Sequence, residues 1–431
     1  MENNMIKEVI VVGGGASGMM AAGRAGELGK KVLLIEKGNC LGRKLNISGK
    51  GRCNFTNVGE LEDFLLHFGK TRNFLRNAFH RFFNAELIEF FERSGLKPKV
   101  ERGGRVFPLS DKADSVVRVL EKYILGNRVE VLLNSKVDEI LVRKKSVYGI
   151  RIREKVFRAE RIILATGGMS YPQTGSEGDG YLIAKSLGHT INPLSPALVP
   201  LLVKESFVKQ LKGLGLKNVK IYFLKNDREL VSETGEMLFA TFVVNEPVIG
   251  RKKTFPGITG PIVLSLSGDV VESFKDRRGI KLYIDFKPFI ERKELEERII
   301  RDLHVCGNKS IRNYLKDLLP VRFTDIFLEI LNLSRDKRIN QLRVDERKSI
   351  INLLKEFPLT ITGCLPIENA IVTRGGVDTK EINPLTMESK LIRGLYFCGE
   401  VIDIDAKTGG YNLQAAFSTG YLAGESAGRS L

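Results

Sequence analysis

The chain of 431 residues has no tryptophan, only four histidines and only five cysteines, and this scarcity excludes several kinds of site. The histidines are isolated, so none shows the spacing of a metal-binding motif. The cysteines contain no CxxC pair, which argues against zinc and iron–sulfur sites and against a disulfide-stapled fold. We therefore expect no metal centre and no structural disulfide. The cysteines are Cys40, Cys53, Cys306, Cys364 and Cys398.

Long apolar runs are also absent. No stretch reaches the roughly 18 apolar residues of a membrane-spanning helix, and the polar start of the chain does not have the form of a signal peptide. With 43% hydrophobic and 28% charged residues, the composition is that of a soluble globular protein. We expect a cytoplasmic protein with two or three domains and no membrane partner, whose oligomeric state the sequence leaves open.

Acidic residues are outnumbered, because 68 Lys and Arg against 51 Asp and Glu give a formal net charge of +17. Such an excess attracts nucleic acids, acidic lipids or anionic substrates. The basic residues are dispersed and form neither a basic tail nor an arginine-rich block. A solvated basic surface is the favoured interpretation, and nucleic-acid binding is kept as the alternative.

The segment Val9–Glu36 has the pattern of a dinucleotide-binding unit. An apolar strand leads into a glycine-rich turn, a helix and a second apolar strand that ends on Glu36. Gly13 allows the tight turn, Gly15 lets the backbone approach a pyrophosphate, and Gly18 lets the helix pack closely on the strand. Glu36 is placed to accept hydrogen bonds from ribose hydroxyls. We predict a bound dinucleotide.

Later elements favour FAD over NAD. Ser135–Val137 lies where main-chain groups can read an adenine edge, and Ala165–Gly168 ends a buried strand with small residues. An apolar strand ends at Gly399–Glu400, and Gly409–Gln414 opens a helix whose free amides and positive dipole end can stabilise a reduced flavin. This order predicts an α/β fold with a Rossmann-like FAD-binding domain of the glutathione-reductase type.

These FAD-binding elements lie at both ends of the chain. From about Asn192 short alternating strands appear, and Glu291–Leu354 is helical by periodicity with one interruption at Pro320. We therefore expect the middle of the chain to be inserted into the FAD-binding domain. The expected ranges are 1–191 and 370–431 for the FAD-binding domain, and 192–369 for the insert, with a helical part at 291–354 and β-rich parts at 192–290 and 355–369.

The most specific motifs are Gly42–Leu45, Ser48–Asn54, Gly104–Pro108, Ala370–Val377, Thr386–Lys390 and Gly394–Gly424. Together they resemble one bacterial flavoprotein family, the YhiN/BaiN-like NAD(P)/FAD-dependent oxidoreductases, over nearly the whole chain. The resemblance implies FAD in a split Rossmann-like domain, interrupted by an insert made of a small β-barrel and a helical subdomain.

The resemblance, together with the segments above, gives a set of expected cofactor-binding residues. The residues from Gly13 to Gly18 and Glu36 would hold the ADP half, and Arg43 and Lys44 would lie near the pyrophosphate. The segments from Ser48 to Asn54 and from Gly409 to Leu413 would line the flavin. The set is Gly13, Gly15, Ala16, Ser17, Gly18, Glu36, Lys37, Arg43, Lys44, Ser48, Gly49, Gly51, Arg52, Cys53, Asn54, Val137, Ala165, Thr166, Gly167, Gly399, Glu400, Asp403, Gly409, Gly410, Asn412 and Leu413.

Four further positions carry competing interpretations. Arg105 and Tyr411 either face the substrate or serve the structure, Arg105 by pairing with a carboxylate and Tyr411 by packing on the ring. Cys53 is interpreted as structural, since no second cysteine is close enough for a redox pair. Phe255 stands where the family has a histidine, after extra residues, so the chemistry of that histidine does not carry over.

We expect an FAD-dependent oxidoreductase with a small-molecule substrate. The leading hypothesis is a reductase that passes hydride from the reduced flavin to an unsaturated or carbonyl-conjugated molecule. No second nucleotide motif is complete, so NADH or NADPH would act as a transient donor over the flavin. The alternatives are an H2O2-producing amine oxidase of the aminoacetone type, an RNA-binding or RNA-modifying flavoprotein, and a redox sensor. The sequence identifies no catalytic acid or base.

Overall fold

A computed structural model describes residues 7–245, 252–276 and 279–429. The chain divides into two compact units: unit 1 is Met1–Ala197 with Ile367–Leu431, and unit 2 is Leu198–Pro366. The divisions thus fall after residues 197 and 366, where the sequence pattern suggested 191 and 369. Part of the extra segment before Phe255, residues 246–251, lies outside the described residues.

The described residues form 18 strands and 13 α-helices in the two units. None of these helices is long and apolar enough to cross a membrane. The strands are β1 (Lys7–Val12), β2 (Val32–Ile35), β3 (Thr56–Asn57), β4 (Pro98–Glu101), β5 (Arg105–Pro108), β6 (Glu130–Leu132), β7 (Glu139–Arg143), β8 (Ser146–Ile152), β9 (Lys155–Leu164), β10 (Ile191–Ala197), β11 (Leu201–Val203), β12 (Gly215–Lys225), β13 (Arg228–Asn245), β14 (Lys252–Thr259), β15 (Ile280–Asp285), β16 (Phe357–Cys364), β17 (Val372–Val377) and β18 (Leu395–Phe397). The helices are α1 (Ala16–Glu27), α2 (Arg43–Gly51), α3 (Leu61–Leu66), α4 (Arg72–Arg81), α5 (Asn84–Arg93), α6 (Ala113–Gly126), α7 (Asp179–Ser186), α8 (Pro261–Glu272), α9 (Arg292–Cys306), α10 (Ile311–Leu315), α11 (Val321–Leu331), α12 (Val344–Lys355) and α13 (Tyr411–Gly428).

The main sheet of unit 1 has the strand order β6-β2-β1-β9-β8-β7, and β18 pairs with the C-terminal half of β9. Strands β6, β2, β1, β9 and β18 run parallel, whereas β7, β8 and the N-terminal half of β9 are antiparallel. The parallel strands are continuous apolar runs because both faces of such a sheet are covered. Their carboxyl ends meet at one edge, where open α/β sheets bind ligands.

Two small sheets complete unit 1. Strand β10 pairs with β17, so the segment Ile191–Ala197 belongs with the C-terminal part of the chain and shifts the division between the units. The other sheet has the order β3-β5-β4. Its strand β3 comes soon after the loop at the end of α2. The sheet therefore lies close to a segment that is expected to contact the flavin.

Unit 2 contains a closed barrel with the strand order β11-β14-β13-β12-β15-β16. Helices α9 to α12 lie in the chain between β15 and β16. The predicted break at Pro320 is present, because this residue precedes α11. The helical region is also broken after Cys306 and after Leu331, where Asn332 takes a left-handed conformation that ends α11. Phe255 lies on β14 beside Phe242, with the Lys253 ammonium 5.2 Å from its ring centroid.

Helices α1 and α13 pack backbone to backbone and run in the same direction. A Cβ on Gly420 would lie 2.4 Å from the carbonyl oxygen of Ser17, and one on Gly424 would lie 2.3 Å from that of Ala21. Helix α13 begins at Tyr411, nine residues before Gly420, whereas α1 begins one residue before Ser17. At a rise of 1.5 Å per residue, the N-terminus of α13 therefore projects about 12 Å beyond that of α1.

A buried carboxylate on α13 connects three helices. The Glu425 side chain is 3% exposed and accepts hydrogen bonds from Arg24 of α1, at 2.7 Å, and from Arg81 of α4. Arg429 lies 3.1 Å away. Burial by itself raises the pKa of this carboxyl, but the hydrogen bonds from Arg81 and Arg24 outweigh burial and lower the pKa to about 2. The ionised carboxylate therefore stabilises the packing of α13.

We expect Glu425→Gln to lower the free energy of unfolding by about 2 kcal/mol at pH 7, since hydrogen bonds to charged groups contribute about 1.5–3 kcal/mol. The pKa of Glu425 is about 2 in the folded chain, below the value of about 4.3 for an unfolded glutamate. The stabilisation is therefore fully present above about pH 5 and is lost as the pH falls toward 2. Urea unfolding at pH 7 and at pH 3.5 measures the effect.

At pH 3.5 the difference between wild type and Glu425→Gln should shrink by about half. Glu89→Gln is the control, because Glu89 forms an exposed pair with Arg93 on a single helix, and such pairs contribute less than about 1 kcal/mol. A loss of equal size in both variants, or one that does not change with pH, would contradict the assigned role of Glu425.

Candidate functional site

The three glycines of the turn between β1 and α1 have different surroundings. Gly13 has a φ of +109°, and a Cβ there would lie 2.4 Å from the carbonyl oxygen of Ala165. A Cβ on Gly18 would lie 1.9 Å from the carbonyl oxygen of Gly13, whereas one on Gly15 would meet no atom within 4 Å. Packing thus requires the first and third glycines, and the second leaves open space. Ala16 and Ser17 follow as the first residues of α1, where main-chain amides have no partner within the helix.

Glu36, directly after β2, is held by the same turn. Its Oε2 accepts a hydrogen bond from the Gly14 amide and its Oε1 from the Gly38 amide, both at 2.7 Å. Each carboxylate oxygen keeps a second lone pair for a ligand hydroxyl. The position expected for a ribose-binding acid is therefore fixed before any ligand binds.

Lys37 is engaged by acids of the protein. Its ammonium donates to Glu177 at 2.8 Å and to Asp179 at 2.5 Å, and Lys136 lies 2.8 Å from the other oxygen of Asp179. Burial alone lowers the pKa of Lys37, but the hydrogen bonds to Asp179 and Glu177 raise it. Lys37 is therefore a charged residue at the rim of the site, and its charge is already balanced.

A cleft opens at the carboxyl ends of β1, β2 and β9. It brings together residues that are far apart in the sequence, among them several of those expected to contact the ADP half. The Ala165 amide donates a hydrogen bond to the carbonyl of Val12. Gly167, with a φ of +74°, turns the chain after Thr166. The cleft is lined by Val12, Gly13, Ile35, Glu36, Lys37, Ser135, Lys136, Val137, Thr166, Gly175, Asp179 and Ile183.

Several buried polar atoms of unit 1 have no hydrogen-bond partner in the protein. Among the described residues these include Asn46 Oδ1, Asn54 Oδ1 and Thr166 Oγ1. A buried polar atom without a partner costs about 1–3 kcal/mol. Asn46 and Asn54 flank the loop at the end of α2, and Thr166 lines the cleft. Their polar atoms indicate that a ligand with hydrogen-bonding groups completes this region, which fits a dinucleotide cofactor.

Helix α2 ends in a loop with unusual backbone angles. Gly49, Lys50, Gly51 and Cys53 all have φ between +56° and +82°. Lys50 and Cys53 adopt this left-handed conformation without being glycine, which costs about 1 kcal/mol or more and is typical of ligand-binding segments. Ser48, at the start of the loop, donates its hydroxyl to the carbonyl of Leu45.

Cys53 is fully buried. Burial raises the pKa of its thiol to about 12, although a hydrogen bond with Ser48 acts in the opposite direction. The thiol is therefore protonated at neutral pH, and this favours the structural interpretation over a redox role. In the described part of the chain, no group of His, Cys, Asp and Glu is arranged to hold a metal ion.

Lys44 and Glu400 contact each other across the sheet edge. The Lys44 ammonium donates to Glu400 at 2.7 Å and to Ser170 at 2.6 Å. The other oxygen of Glu400 accepts from the Thr373 amide at 2.8 Å and from the Ser170 hydroxyl at 3.1 Å. Arg43, one residue earlier, donates to the carbonyl of Gln173 at 2.6 Å.

Two expected cofactor residues use their side chains within the protein. Arg52 pairs with Glu101 and Asp111, and its guanidinium lies 4.2 Å from the centroid of the Phe107 ring. Asp403 accepts from the Asn192 side chain at 2.8 Å and from the Gly375 amide at 3.0 Å. Arg52 and Asp403 would therefore contact a cofactor mainly through their main-chain groups.

The start of α13 is anchored to β3. Gly410, with a φ of +98°, precedes the helix, and a Cβ on it would lie 2.3 Å from the carbonyl oxygen of Thr56. The Asn412 side chain accepts from the amide of Ala406 and donates to its carbonyl, both at 2.9 Å, which fixes the loop leading to Gly409. Leu413 packs on the core of unit 1. The residues expected at the flavin therefore form a fixed helix start.

Tyr411 and Arg105, the expected substrate-facing residues, have different surroundings. The Tyr411 ring stacks on His67, with 3.8 Å between ring centroids, and packs edge-on against Phe64. Burial, with a smaller contribution from Lys407, lowers the pKa of His67. Arg105 Nε donates to the carbonyl of Arg102 at 3.1 Å.

The sequence interpretation missed several residues that the structure places at the site. Asn46 lies between the motifs Gly42–Leu45 and Ser48–Asn54. Its position between two motifs expected at the cofactor could have identified it as a site residue. His67, Ser170, Thr373 and Asp179 gave no such signal, because their contacts join segments that are distant in the sequence.

The fold and this site define a flavin-dependent oxidoreductase built on a Rossmann-type FAD-binding domain. The family model of the HI0933-like protein Rossmann domain matches residues 7–426, and the chain belongs to this family. The resemblance to the YhiN/BaiN-like flavoproteins is thereby confirmed.

Relatives of known name are similar over their full length. The chain is 33% identical over 419 residues to a 3-dehydro-bile acid delta(4,6)-reductase from Clostridium scindens, covering 97% of this chain and 98% of that protein. It is 30% identical over 430 residues to a ribosomal RNA dihydrouridine synthase from Haemophilus influenzae, covering 98% of each. The 3-ketosteroid delta1-dehydrogenase structure from Sterolibacterium denitrificans shares the fold, with a TM-score of 0.53, 14% identity and coverage of 98% and 99%.

We expect Gly15→Val to abolish tight FAD binding without unfolding the chain. A Cβ at position 15 meets no protein atom within 4 Å, so folding should tolerate the substitution. It fills the space through which a pyrophosphate approaches the start of α1, and affinity for FAD should fall at least about tenfold. Flavin absorbance per mole of purified protein, with circular dichroism as the folding check, measures this.

Gly126→Val is the matched control, since a Cβ on Gly126, at the end of α6, also meets no atom within 4 Å. This variant should keep its flavin. Normal FAD content in Gly15→Val would show that the cofactor does not approach the turn between β1 and α1.

Proposed function

We propose that the protein is an FAD-dependent reductase that passes hydride to an unsaturated or carbonyl-conjugated small molecule, with NADH or NADPH as a transient electron donor. The observation that carries the proposal is the parallel pair α1 and α13, in which the start of α13 lies about 12 Å beyond the start of α1 along the helix direction. An extended dinucleotide would place its pyrophosphate at the first helix start and its other end at the second.

Residues of unit 1 suit the different parts of FAD. The cleft with Glu36, Val137 and Thr166 would take the ADP half. Asn46 and Asn54, on either side of the loop at the end of α2, offer unpartnered side-chain oxygens, which suit the hydroxyl and ring N–H donors of a flavin nucleotide. Bound FAD supplies hydride transfer, and the chain orients the substrate and excludes water.

The substrate class follows from the relative that is a bile-acid reductase. Its name describes reduction of a 3-dehydro-bile acid, and the similarity extends over both units of this chain. We propose an α,β-unsaturated ketone as the acceptor, in which hydride adds to the β-carbon and a proton from an acid or from water adds to the α-carbon of the resulting enolate.

A second candidate function is reduction of uridine in ribosomal RNA. Two observations favour it: relatives from Haemophilus influenzae and Escherichia coli are ribosomal RNA dihydrouridine synthases, and the net charge is +17. Uracil is itself a conjugated carbonyl compound, so the chemistry of hydride addition would be the same and the acceptor would differ.

We expect NADH or NADPH to bleach the visible flavin band of the purified holoenzyme within seconds under anaerobic conditions. Addition of a 3-oxo-Δ4 steroid should then restore the band, because the acceptor takes the hydride and leaves oxidised flavin. Stopped-flow absorbance follows both steps, and the reduced steroid is identified by mass spectrometry. The corresponding saturated 3-oxo steroid, which has no double bond conjugated with the carbonyl, is the control and should not restore the band.

Other outcomes separate the alternatives. A flavin band that persists with both nicotinamides, but is bleached by aminoacetone and gives H2O2 in air, would replace the reductase with the amine oxidase. Reoxidation by a ribosomal RNA fragment, with dihydrouridine in the product and no reaction with the steroid, would move the assignment to RNA. Failure of every acceptor would contradict both reductase proposals.

A further inference from the structure

One face of the small sheet β3-β5-β4 lies between the two segments expected at the flavin. Asn57 of β3 stands opposite Arg105 of β5, and Phe107 follows two residues later on the same face. Asn57 Nδ2 donates to the carbonyl of Gly409 at 3.1 Å, and a Cβ on Gly49 would lie 3.7 Å from the Phe107 ring. Arg105 is therefore placed between the loop after α2 and the start of α13.

Arg105 has no acidic partner. Its Nε donates to the carbonyl of Arg102, its guanidinium lies 5.9 Å from the centroid of the Phe107 ring, and no carboxylate of the described residues lies within 4.0 Å. The residue is only partly exposed. A partly buried cation without a counter-ion is costly, and an anion that supplies two hydrogen bonds to the guanidinium offsets that cost.

Glu101, the acid nearest to Arg105 in the strand pairing, already forms a salt bridge with another arginine. Glu101 stands directly opposite Arg105 in the pairing of β4 with β5, but its carboxylate pairs with Arg52 and lies 3.4 Å from the Lys99 ammonium. Asp111 likewise pairs with Arg52 and Lys99. Arg52 and Lys99 are thus balanced by these two acids, and the positive charge of Arg105 remains.

We propose that Arg105 binds a carboxylate of the substrate, so that the acceptor is a hydrophobic acid rather than a neutral ketone. This inference rests on the proposed reductase function and names its substrate class. The site offers one partly buried guanidinium next to an aromatic ring, which suits a single carboxylate on an apolar body. An RNA backbone would draw on several cations, and two of those beside Arg105, namely Arg52 and Lys99, are already paired with acids.

The test compares an acid with its neutral ester. Oxidised holoenzyme is titrated with 3-oxochol-4-en-24-oic acid and with its methyl ester, and the shift of the visible flavin spectrum gives each Kd. Wild type should bind the acid about tenfold more tightly or better, since hydrogen bonds to a charged group are strong enough for that factor. Arg105→Gln should bring the ratio close to one without weakening the ester.

Lys97→Gln is the matched control, because Lys97 is an exposed cation just before β4 on the same small sheet. It should keep the preference for the acid, and Arg105→Lys should restore part of it. Flavin content and melting temperature confirm that each variant is folded. No preference in wild type, a preference that survives in Arg105→Gln, or one that is lost equally in Lys97→Gln would overturn the proposal.

Further measurements distinguish failure of this inference from failure of the proposed function. Reduced wild type and reduced Lys97→Gln should both be reoxidised by the methyl ester at similar kcat, because Lys97 is an exposed residue outside the proposed binding site. If neither compound reoxidises the flavin while the acid still binds through Arg105, the reductase proposal fails and the carboxylate site stands. If a uridine-containing RNA binds through Arg105 and the steroid acid does not, the carboxylate assignment is wrong.

Discussion

The close approach of α1 and α13 is the constraint on which the site depends. Gly420 and Gly424 bring the helices to main-chain contact, so any side chain at these positions would separate them. The contact fixes their relative axial position, and this sets how far the start of α13 extends beyond the start of α1. It also joins the two ends of the chain, because α1 follows the first strand and α13 is the last helix. A site for one extended cofactor is thus assembled from segments about 400 residues apart in sequence.

Local chemistry explains what the sequence predicted correctly. The Rossmann-type domain was predictable because each of its early parts has a short-range cause: apolar runs make buried parallel strands, and the turn requires glycine at positions 13 and 18. The flavin choice rested on the order of late elements, and the family match supports it. Element ends were less well predicted. The segment Ile191–Ala197 reads as the start of the insert, yet it pairs with β17, a strand much later in the chain.

The remaining parts of the site depend on long-range pairing, which one sequence does not display. Arg52 and Arg105 both occur in motifs of the family and appear equivalent as sequence. The structure separates them, since Glu101 and Asp111 both turn toward Arg52. His67 appeared isolated because its stacking partner, Tyr411, lies at the other end of the chain. The unpartnered oxygens of Asn46 and Asn54 are likewise visible only when every nearby donor is known.

Relatives with different names share this fold, and the small sheet is a place where they can differ while the cofactor-binding elements stay the same. The glycine turn, Glu36 and the helix pair are tied together by main-chain contacts, and a change in any of them disturbs the cofactor. On the face of β3-β5-β4 that carries Arg105, the charge balance is set instead by which acid pairs with which cation. Moving one carboxylate on this face would neutralise Arg105 or release Arg52, and would change the charge presented to a substrate without altering the fold. With the proposed role of Arg105, a change of ion pairing on this small sheet would change the substrate class and leave the proposed hydride chemistry as it is.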